Sequence, residues 1–524
     1  MFRFHSARLG VKSKLVFAFL ACGLVPIAVV GVVSQRSAVE ALKGNAVIAE
    51  ESLAEQVVGR LTAARDLKSA GVRTYFEQMA AQMRVFSGDA RTLAAMAEFP
   101  GAFAAFPEEA GLAGEQEALE RELEDYQSAH FGAEYARRNQ GRSPDTAAFA
   151  RHDALTRTLQ GVYVARNPNP LGSKHLQDSD GLDTHYSRLH SSFHPLARAL
   201  VAEFGLYDVF LVTGDGRVVY TCFKELDFAT ELAGGAWSDS GLARAFEEGR
   251  GLAAGAVHLE DYASYTPSYE DPASFLAAPI FLGEERLGVA IFQLPLDRVS
   301  LVMEDRAGLG QTFDSYLVGS DELMRSNSLQ DPEHHSVVAS FRDPEAGSVR
   351  TEAVTKALDG ESAVGPLTNF RGVEVVAAWR PLEVLGQSWA LVAEAEVGEI
   401  QAGLQAMRAA EQETQKSFIR STLLVAGCAA LCVLAFGLFL GEKLARPIRR
   451  TEAALGRLAR GALGERLPVE GEDELARMAR AFNQAAEGMT TAIGKVHACS
   501  ERLSRCSGEL SSLASELAAE AERT

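Results

Sequence analysis

Two long runs without a charged residue dominate the hydropathy pattern. Leu15 to Val33 (LVFAFLACGLVPIAVVGVV) and Ser421 to Leu440 (STLLVAGCAALCVLAFGLFL) are each long enough for a helix to cross a hydrocarbon core of ~30 Å. Backbone groups in lipid have no water to bond, so such runs are expected as helices, with spans at 15–34 and 419–441. A cleaved signal peptide is the other reading of the first run. Its length and the helical pattern directly after it favour a retained anchor. Arg3, Arg8, Lys12 and Lys14 precede the first run, and Lys443, Arg446, Arg449 and Arg450 follow the second. These basic flanks put both termini, 1–14 and 442 onward, in the cytoplasm and residues 35–418 on the far side.

Between the runs the period changes twice. Over 36–99 apolar residues recur three and four apart, as at Leu53, Val57 and Leu61, which predicts a stalk helix. The chain stays mostly helical to about 200, with turn signals at Gly141–Pro144 and Asn167–Pro170. Then Tyr207–Thr213 (YDVFLVT) and Arg217–Phe223 (RVVYTCF) flank Gly214-Asp215-Gly216, a hairpin signal. A helix near Leu242–Glu248 and a second hairpin, Phe275–Phe281 with Leu287–Leu294, follow. The order then repeats. Ser315–Gly319 pairs with Leu323–Asn327, a helix lies near Val349–Leu358, and Val373–Trp379 pairs with Ser388–Glu394. Hairpin, helix, hairpin, twice over, predicts tandem α+β modules with antiparallel sheets, at about 100–305 and about 306–400.

After the second span, Ile448, Leu455, Leu458 and Ala462 keep heptad spacing, interrupted by the polar Thr451. Pro447 reads as a helix start and Gly461–Pro468 as a connector. Glu472, Asp473 and Glu474 stand where the dipole of a second helix favours them. From Leu475 through Met478, Phe482, Ala485, Met489, Ala492, Val496, Cys499, Leu503, Cys506, Leu510 and Leu513 to Leu517 the 3–4 alternation never breaks. That seam predicts a coiled coil and a partner helix.

The stretches SRLHSSFHPLARALVAEFGLYDVFLVTGDGRVVYTCFKELDFATEL, FLAAPIFLGEERLGVAIFQLPLDRV, SYLVGSDELMRSNS and RGVEVVAAWRPLEVLGQSWALVAEAE resemble the double-Cache sensor regions of bacterial transmembrane methyl-accepting chemotaxis receptors. Residues 442–494, with Ala445-Arg446-Pro447-Ile448, Gly471-Glu472-Asp473-Glu474-Leu475 and Ala481-Phe482-Asn483, resemble a HAMP domain, a parallel four-helix bundle made by two chains. The resemblance implies PAS-like (double Cache) modules and an extracytoplasmic pocket for a small-molecule ligand, usually in the membrane-distal module. It also implies a multi-pass protein of the bacterial inner membrane with a periplasmic sensor region. The expected partner is a second copy of the chain, joined through HAMP and the coiled coil of 495–524. A chemotaxis kinase and coupling proteins would be reached through a partner receptor. The family's long signalling hairpin does not follow before Thr524, and the Arg-x-Trp-Tyr run of many amino-acid-binding members is absent.

Composition narrows the function. The net charge of −19, without a basic stripe, argues against nucleic acid. Of 6 cysteines only Cys222 lies in the large middle region, so no intramolecular disulfide or zinc cluster is expected there. No Walker loop, GxSxG or HExxH motif is present, so neither an enzyme nor a cofactor is expected. Candidate ligand contacts are Phe210 and Tyr220 on the first hairpin, Lys224 and Asp227 after it, and Asp261, Tyr262, Tyr265 and Ser268 in an aromatic-polar loop. Core packing of the aromatics and a surface Lys224–Asp227 ion pair is the competing reading. His190 and His194 have the spacing of a metal pair but no third ligand; helix termination at Pro195 and ordinary hydrogen bonding fit them better, and no metal is expected. The functional expectation is a chemoreceptor-type sensor that relays ligand binding through HAMP. The alternatives are a membrane scaffold pairing with full-length receptors, or the sensor subunit of a separate output protein.

Overall fold

The computed structural model describes residues 10–521 apart from residue 307. Arg3 and Arg8 of the first basic flank, and residues 522–524 at the end of the seam, lie outside the described residues. The chain divides into two units, Ala49–Ala406 and a second that joins the residues up to Ile48 with those from Met407 on.

A continuous helix, Val11–Gly88, holds the first apolar run and the stalk pattern. It stops short of the expected 99 because Asp89 turns extended and its carboxylate accepts the Arg91 N–H, starting a new helix, Ala90–Glu109. Within Ala49–Ala406, β1 (Asp208–Thr213), β2 (Val218–Thr221), β3 (His258–Ser264), β4 (Pro272–Leu282) and β5 (Glu285–Gln293) form an antiparallel sheet in the order β2-β1-β5-β4-β3. A second antiparallel sheet orders β6 (Asp314–Val318), β7 (Ala363–Thr368), β8 (Glu374–Val384) and β9 (Gln387–Glu396) as β6-β9-β8-β7. These are the tandem α+β, PAS-like modules, termed distal and proximal below.

Two edge strands, β3 and β7, escape the sequence pattern. Both read poorly as strands: β3 carries His258, Glu260 and Asp261, and β7 carries Gly365 and Pro366. Charge and proline belong on edges, where half the backbone needs no ladder partner. Conversely, the expected strand Leu323–Asn327 reduces to one bridge, Val318 to Met324. There the Ser326 hydroxyl, not a backbone carbonyl, takes the Leu317 N–H at 2.9 Å.

The distal core is an aromatic layer between sheet and helices. Phe99, Phe103 and Phe106 from Ala90–Glu109 meet Tyr186 and Phe193 of the helix His185–Phe204. Phe99 and Phe193 of that layer also touch Tyr220, beside the site described next.

In the second unit both apolar runs are helical, and two helices, around Lys12–Ala41 and within Val397–Ala459, are long and apolar enough to cross a membrane. Added to Gly23, a Cβ would meet the Val433 side chain at 2.5 Å, so the two helices approach closely where glycine leaves room. The helix Val397–Ala459 passes through Pro447 without ending; Pro447 is interior, not a helix start. A second helix, Glu474–Ala521, begins at Asp473, whose carboxylate caps the Ala476 N–H at 2.9 Å. The connector is pinned by Asn483, which accepts the Leu467 N–H at 2.7 Å and donates to the Leu467 carbonyl at 2.8 Å. Ala454, Leu458, Leu467, Ala479, Phe482 and Ala486 make a small core.

Candidate ligand site of the distal module

β1 opens with a buried aspartate. Asp208 Oδ1 accepts the N–H groups of Val209, Cys222 and Phe223 at 2.6, 2.8 and 3.1 Å, clamping the turn after β2 to the head of β1. Its Oδ2 has no partner. Across the ladder Asp208 faces Gln293, the last residue of β5. Gln293 donates its amide to the Ser268 hydroxyl at 3.1 Å, while its Oε1 is unpartnered. Asp227 accepts the Tyr265 hydroxyl on Oδ2 at 2.7 Å, and its Oδ1 is likewise unpartnered. Asp208, Asp227 and Gln293 are 1%, 0% and 3% exposed, so bulk solvent does not reach these atoms.

The electrostatics follow from burial. Desolvation pushes the carboxyls of Asp208, Glu225 and Asp227 up, and for Asp208 and Glu225 the neighbouring carboxylates push further. The Tyr265 hydrogen bond pulls Asp227 partly back. Lys224, in a left-handed backbone conformation (φ 58°), donates its ammonium to the Thr221 carbonyl and lies 4.3 Å from the centre of the Tyr220 ring. Burial pushes its pKa down. Lys224 and Asp227 are both buried, so they are no surface ion pair.

The three unpartnered atoms share one character. With both carboxyls ionised, the state a bound cation favours, Asp208 Oδ2, Asp227 Oδ1 and Gln293 Oε1 are all acceptors. A buried unsatisfied acceptor costs about 1–3 kcal/mol, more when charged. A group that bonds such acceptors carries N–H bonds and a positive charge, such as an ammonium or amidinium.

Of the residues singled out from sequence, Asp227, Tyr265 and Ser268 belong to this cluster, with Lys224 and Tyr220 beside it. Phe210 does not: its ring packs on Phe275, 6.3 Å between centroids, in the core. Asp261 and Tyr262 do not either. They lie on β3, not in a loop, at a register shift between Glu260 and Ala263. The shift turns Asp261 to the proximal module, where Arg325 grips it with two bonds of 2.9 Å. Sequence reasoning missed Asp208 and Gln293. Their signal was a polar residue at the end of an apolar run, Asp208 opening that of β1 and Gln293 closing that of β5, which antiparallel pairing sets side by side.

His190 and His194 stack at 4.6 Å, on a helix that runs on through Pro195 to Phe204 instead of ending there. His194 Nε2 donates to the His175 carbonyl and Nδ1 accepts the Tyr220 hydroxyl, both at 2.7 Å. Burial pushes the His194 pKa down to about 3, so the ring is neutral. No metal-binding group of three His, Cys, Asp or Glu occurs among the described residues. A surface cleft of about 460 Å³, lined by Glu124, Phe149 and Arg157, shares no residue with the cluster. Arg157 is paired there with Glu120 at 2.8 Å.

The proximal module repeats the plan but closes it. Asp314 opens β6, faces Glu394 and accepts the Leu329 N–H at 3.0 Å and the Ser328 hydroxyl. Glu394 accepts from Asn369 at 2.6 Å and from the Tyr316 hydroxyl at 2.9 Å. Neither carboxylate has an unpartnered oxygen among those found. Burial raises the Glu394 pKa to about 7.

Residues 439–491 match the HAMP domain family. The chain is also similar to the sensor histidine kinase MtrB of Mycolicibacterium paratuberculosis, 37% identical over 76 residues. That match covers 14% of each protein, so the chain spans only a small part of this relative. Against MtrB of Mycobacterium tuberculosis H37Rv identity is 33% over 88 residues, covering 17% of the chain and 16% of the relative. Among solved structures, the sensor domain of the V. cholerae histidine kinase DctB overlaps with a TM-score of 0.28 and 12% identity, covering 52% of this chain and 96% of that one. The ligand-binding domain of the Pseudomonas aeruginosa amino acid chemoreceptor PctB, in complex with L-Arg, gives 0.30 and 15%, covering 42% and 77%. At these scores the module architecture stands on the strands themselves. Two helices fit to cross a membrane, a two-module region between them and HAMP after the second make the chain a transmembrane sensor-transducer.

Proposed function

We propose that the chain is a homodimeric chemoreceptor-type sensor of the double-Cache class in the bacterial inner membrane. It binds a small molecule bearing a protonated amine or amidinium at Asp208, Asp227 and Gln293 in the periplasm. The observation that carries this reading is the set of three buried acceptors without a donor. Binding favours one packing of the distal module over another, and only the difference in affinity between the two states drives the signal. The spanning helix within Val397–Ala459 continues directly into the first HAMP helix, so displacement of one displaces the other. Met489, Val496, Leu503, Leu510 and Leu517 are exposed along the second helix, as a seam awaiting the second copy is. The chain itself performs no catalysis in this reading.

The test is thermal stability of the full chain in nanodiscs against panels of primary amines, amidines, carboxylic acids and sugars. Ligand at 100 times its Kd adds about 2.7 kcal/mol to stability. A rise restricted to amines or amidines is expected; a panel in which none of them moves the midpoint sinks the reading.

A second reading rests on the likeness to sensor histidine kinase MtrB: the same sensor with kinase-type output. In-cell crosslinking through Cys499 and Cys506, both exposed on the seam, separates the readings. Self-pairing with a chemotaxis kinase recovered alongside supports the first, self-pairing with a transmitter kinase the second, and pairing mainly with other receptors the scaffold alternative.

A further inference from the structure

Residues 259–271 touch two things at once. In the middle of this segment, Tyr265 donates to Asp227 at 2.7 Å and Ser268 accepts from Gln293 at 3.1 Å, so it forms one wall of the distal cluster. Toward both ends it is held by the proximal module. The Leu259 carbonyl accepts from Gln387 of β9 at 2.8 Å. Asp261 is gripped by Arg325, and Trp389 Nε1 donates to the same carboxylate at 3.2 Å. Asp271 accepts from Arg342 at 2.6 Å.

Arg325 is 2% exposed, and its guanidinium carbon lies 5.3 Å from the centre of the Phe341 ring. A buried guanidinium bonded bidentately to a carboxylate has one geometry, because its planar fork fixes both bonds together. The segment also carries irregular backbone. Asp261 and Tyr262 sit at the register shift of β3, and Tyr269 and Glu270 adopt φ of 61° and 64°. Side-chain-bearing residues held in the left-handed region store strain that the surroundings must hold in place.

We propose that residues 259–271 are a strap through which occupancy of the distal site reaches the proximal module, with Arg325 as its positioning residue. A ligand bound at Asp227 Oδ1 or Gln293 Oε1 shifts the same side chains that hold Tyr265, through Oδ2, and Ser268, through the amide. The strap passes that change to Arg325, Trp389 and β9, and β9 ends at Glu396, one residue before the exit helix Val397–Ala459. This rests on the reading of the distal cluster as the ligand site.

The test needs no ligand. Tyr265→Phe removes the strap's hydroxyl hold on Asp227 and leaves its ring. Amide hydrogen exchange of β8 and β9 is measured in the full chain in nanodiscs for Y265F, R325M and the double variant. Couplings of this kind run roughly 5–150-fold. Y265F is expected to change proximal exchange at least about fivefold when Arg325 is present and to leave it unchanged in the R325M background. Equal changes in both backgrounds, or none in either, overturn the proposal. A merely structural Arg325 would shift β8 and β9 alike with or without Tyr265, and the cycle cancels that shift. Should R325M not fold, R325K, which keeps the charge without the fork, and W389F, which removes only the indole donor, take its place. A chain with the coupling that binds no amine or amidine keeps the strap and loses the sensor reading; a chain that binds one with an additive cycle does the reverse.

Discussion

The two modules begin alike and end differently. β1 and β6 each open on a buried aspartate that holds the backbone of the following loop, Cys222 and Phe223 in one, Leu329 in the other. Each aspartate faces a polar residue of the neighbouring strand, Gln293 or Glu394. In the proximal module every carboxylate oxygen of that pair finds a donor, from Ser328, Asn369 or Tyr316 among others. In the distal pair Asp208 Oδ2 and Gln293 Oε1 do not, and neither does Oδ1 of the neighbouring Asp227. The aspartate clamp is thus a structural device that both modules use, and by itself it signals no function. What marks a site is the same device left short of donors in a buried place.

The comparison breaks most readily at Asp227. If the distal cluster holds an ammonium or amidinium, Asp227→Asn removes a charge from a desolvated pair, and such truncations cost about 2–5 kcal/mol of binding. Calorimetry with an amine or amidine that stabilises the chain should show that loss, and D314N in the proximal module should show none. Equal losses from both would erase the distinction. Affinity should also fall as the pH is lowered, because burial has already raised the Asp208 and Asp227 carboxyls and protons then compete with the ligand.

The closed module offers a pH test. Glu394 titrates at about 7 instead of its ordinary 4.5, so the folded chain holds a proton there that the unfolded chain has released. Stability attached to this group is therefore present below the ordinary value and is lost as pH rises from about 4.5 through about 7. The shift corresponds to about 3 kcal/mol at most. Urea unfolding across that window should show the slope in the wild type, and E394Q should flatten it.

The smallest effect sharpens the contrast. Asn369→Ala strips a donor from Glu394 and should destabilise the chain by about 1–3 kcal/mol. Gln293→Ala loses the amide bond to Ser268 but also removes the unpartnered Oε1, so without ligand it should cost less than N369A, about 1 kcal/mol. Paired denaturation curves check both, and a larger loss from Q293A than from N369A would reverse the assignment of open and closed.

Period and punctuation along the chain were enough to read two long apolar helices, paired sheets and a helical seam, because apolar length and amphipathic period are local patterns. Asp227 could be named from the charged run after the first hairpin, and Tyr265 and Ser268 from an aromatic-polar stretch before β4. Asp208 and Gln293 could not be placed in the same site, for they are far apart in the chain and meet only where β1 runs antiparallel to β5. Nor could Asp261 be separated from Tyr265, four residues on. A shift in the β3 register turns one toward Arg325 and leaves the other to Asp227. Local sequence thus determined the two long apolar helices, the helical seam and the strands β1, β2, β4, β5, β6, β8 and β9, but not the edge strands β3 and β7. The tertiary structure decided which buried polar atoms find partners, since a hydrogen bond depends on distances between segments that no local pattern encodes.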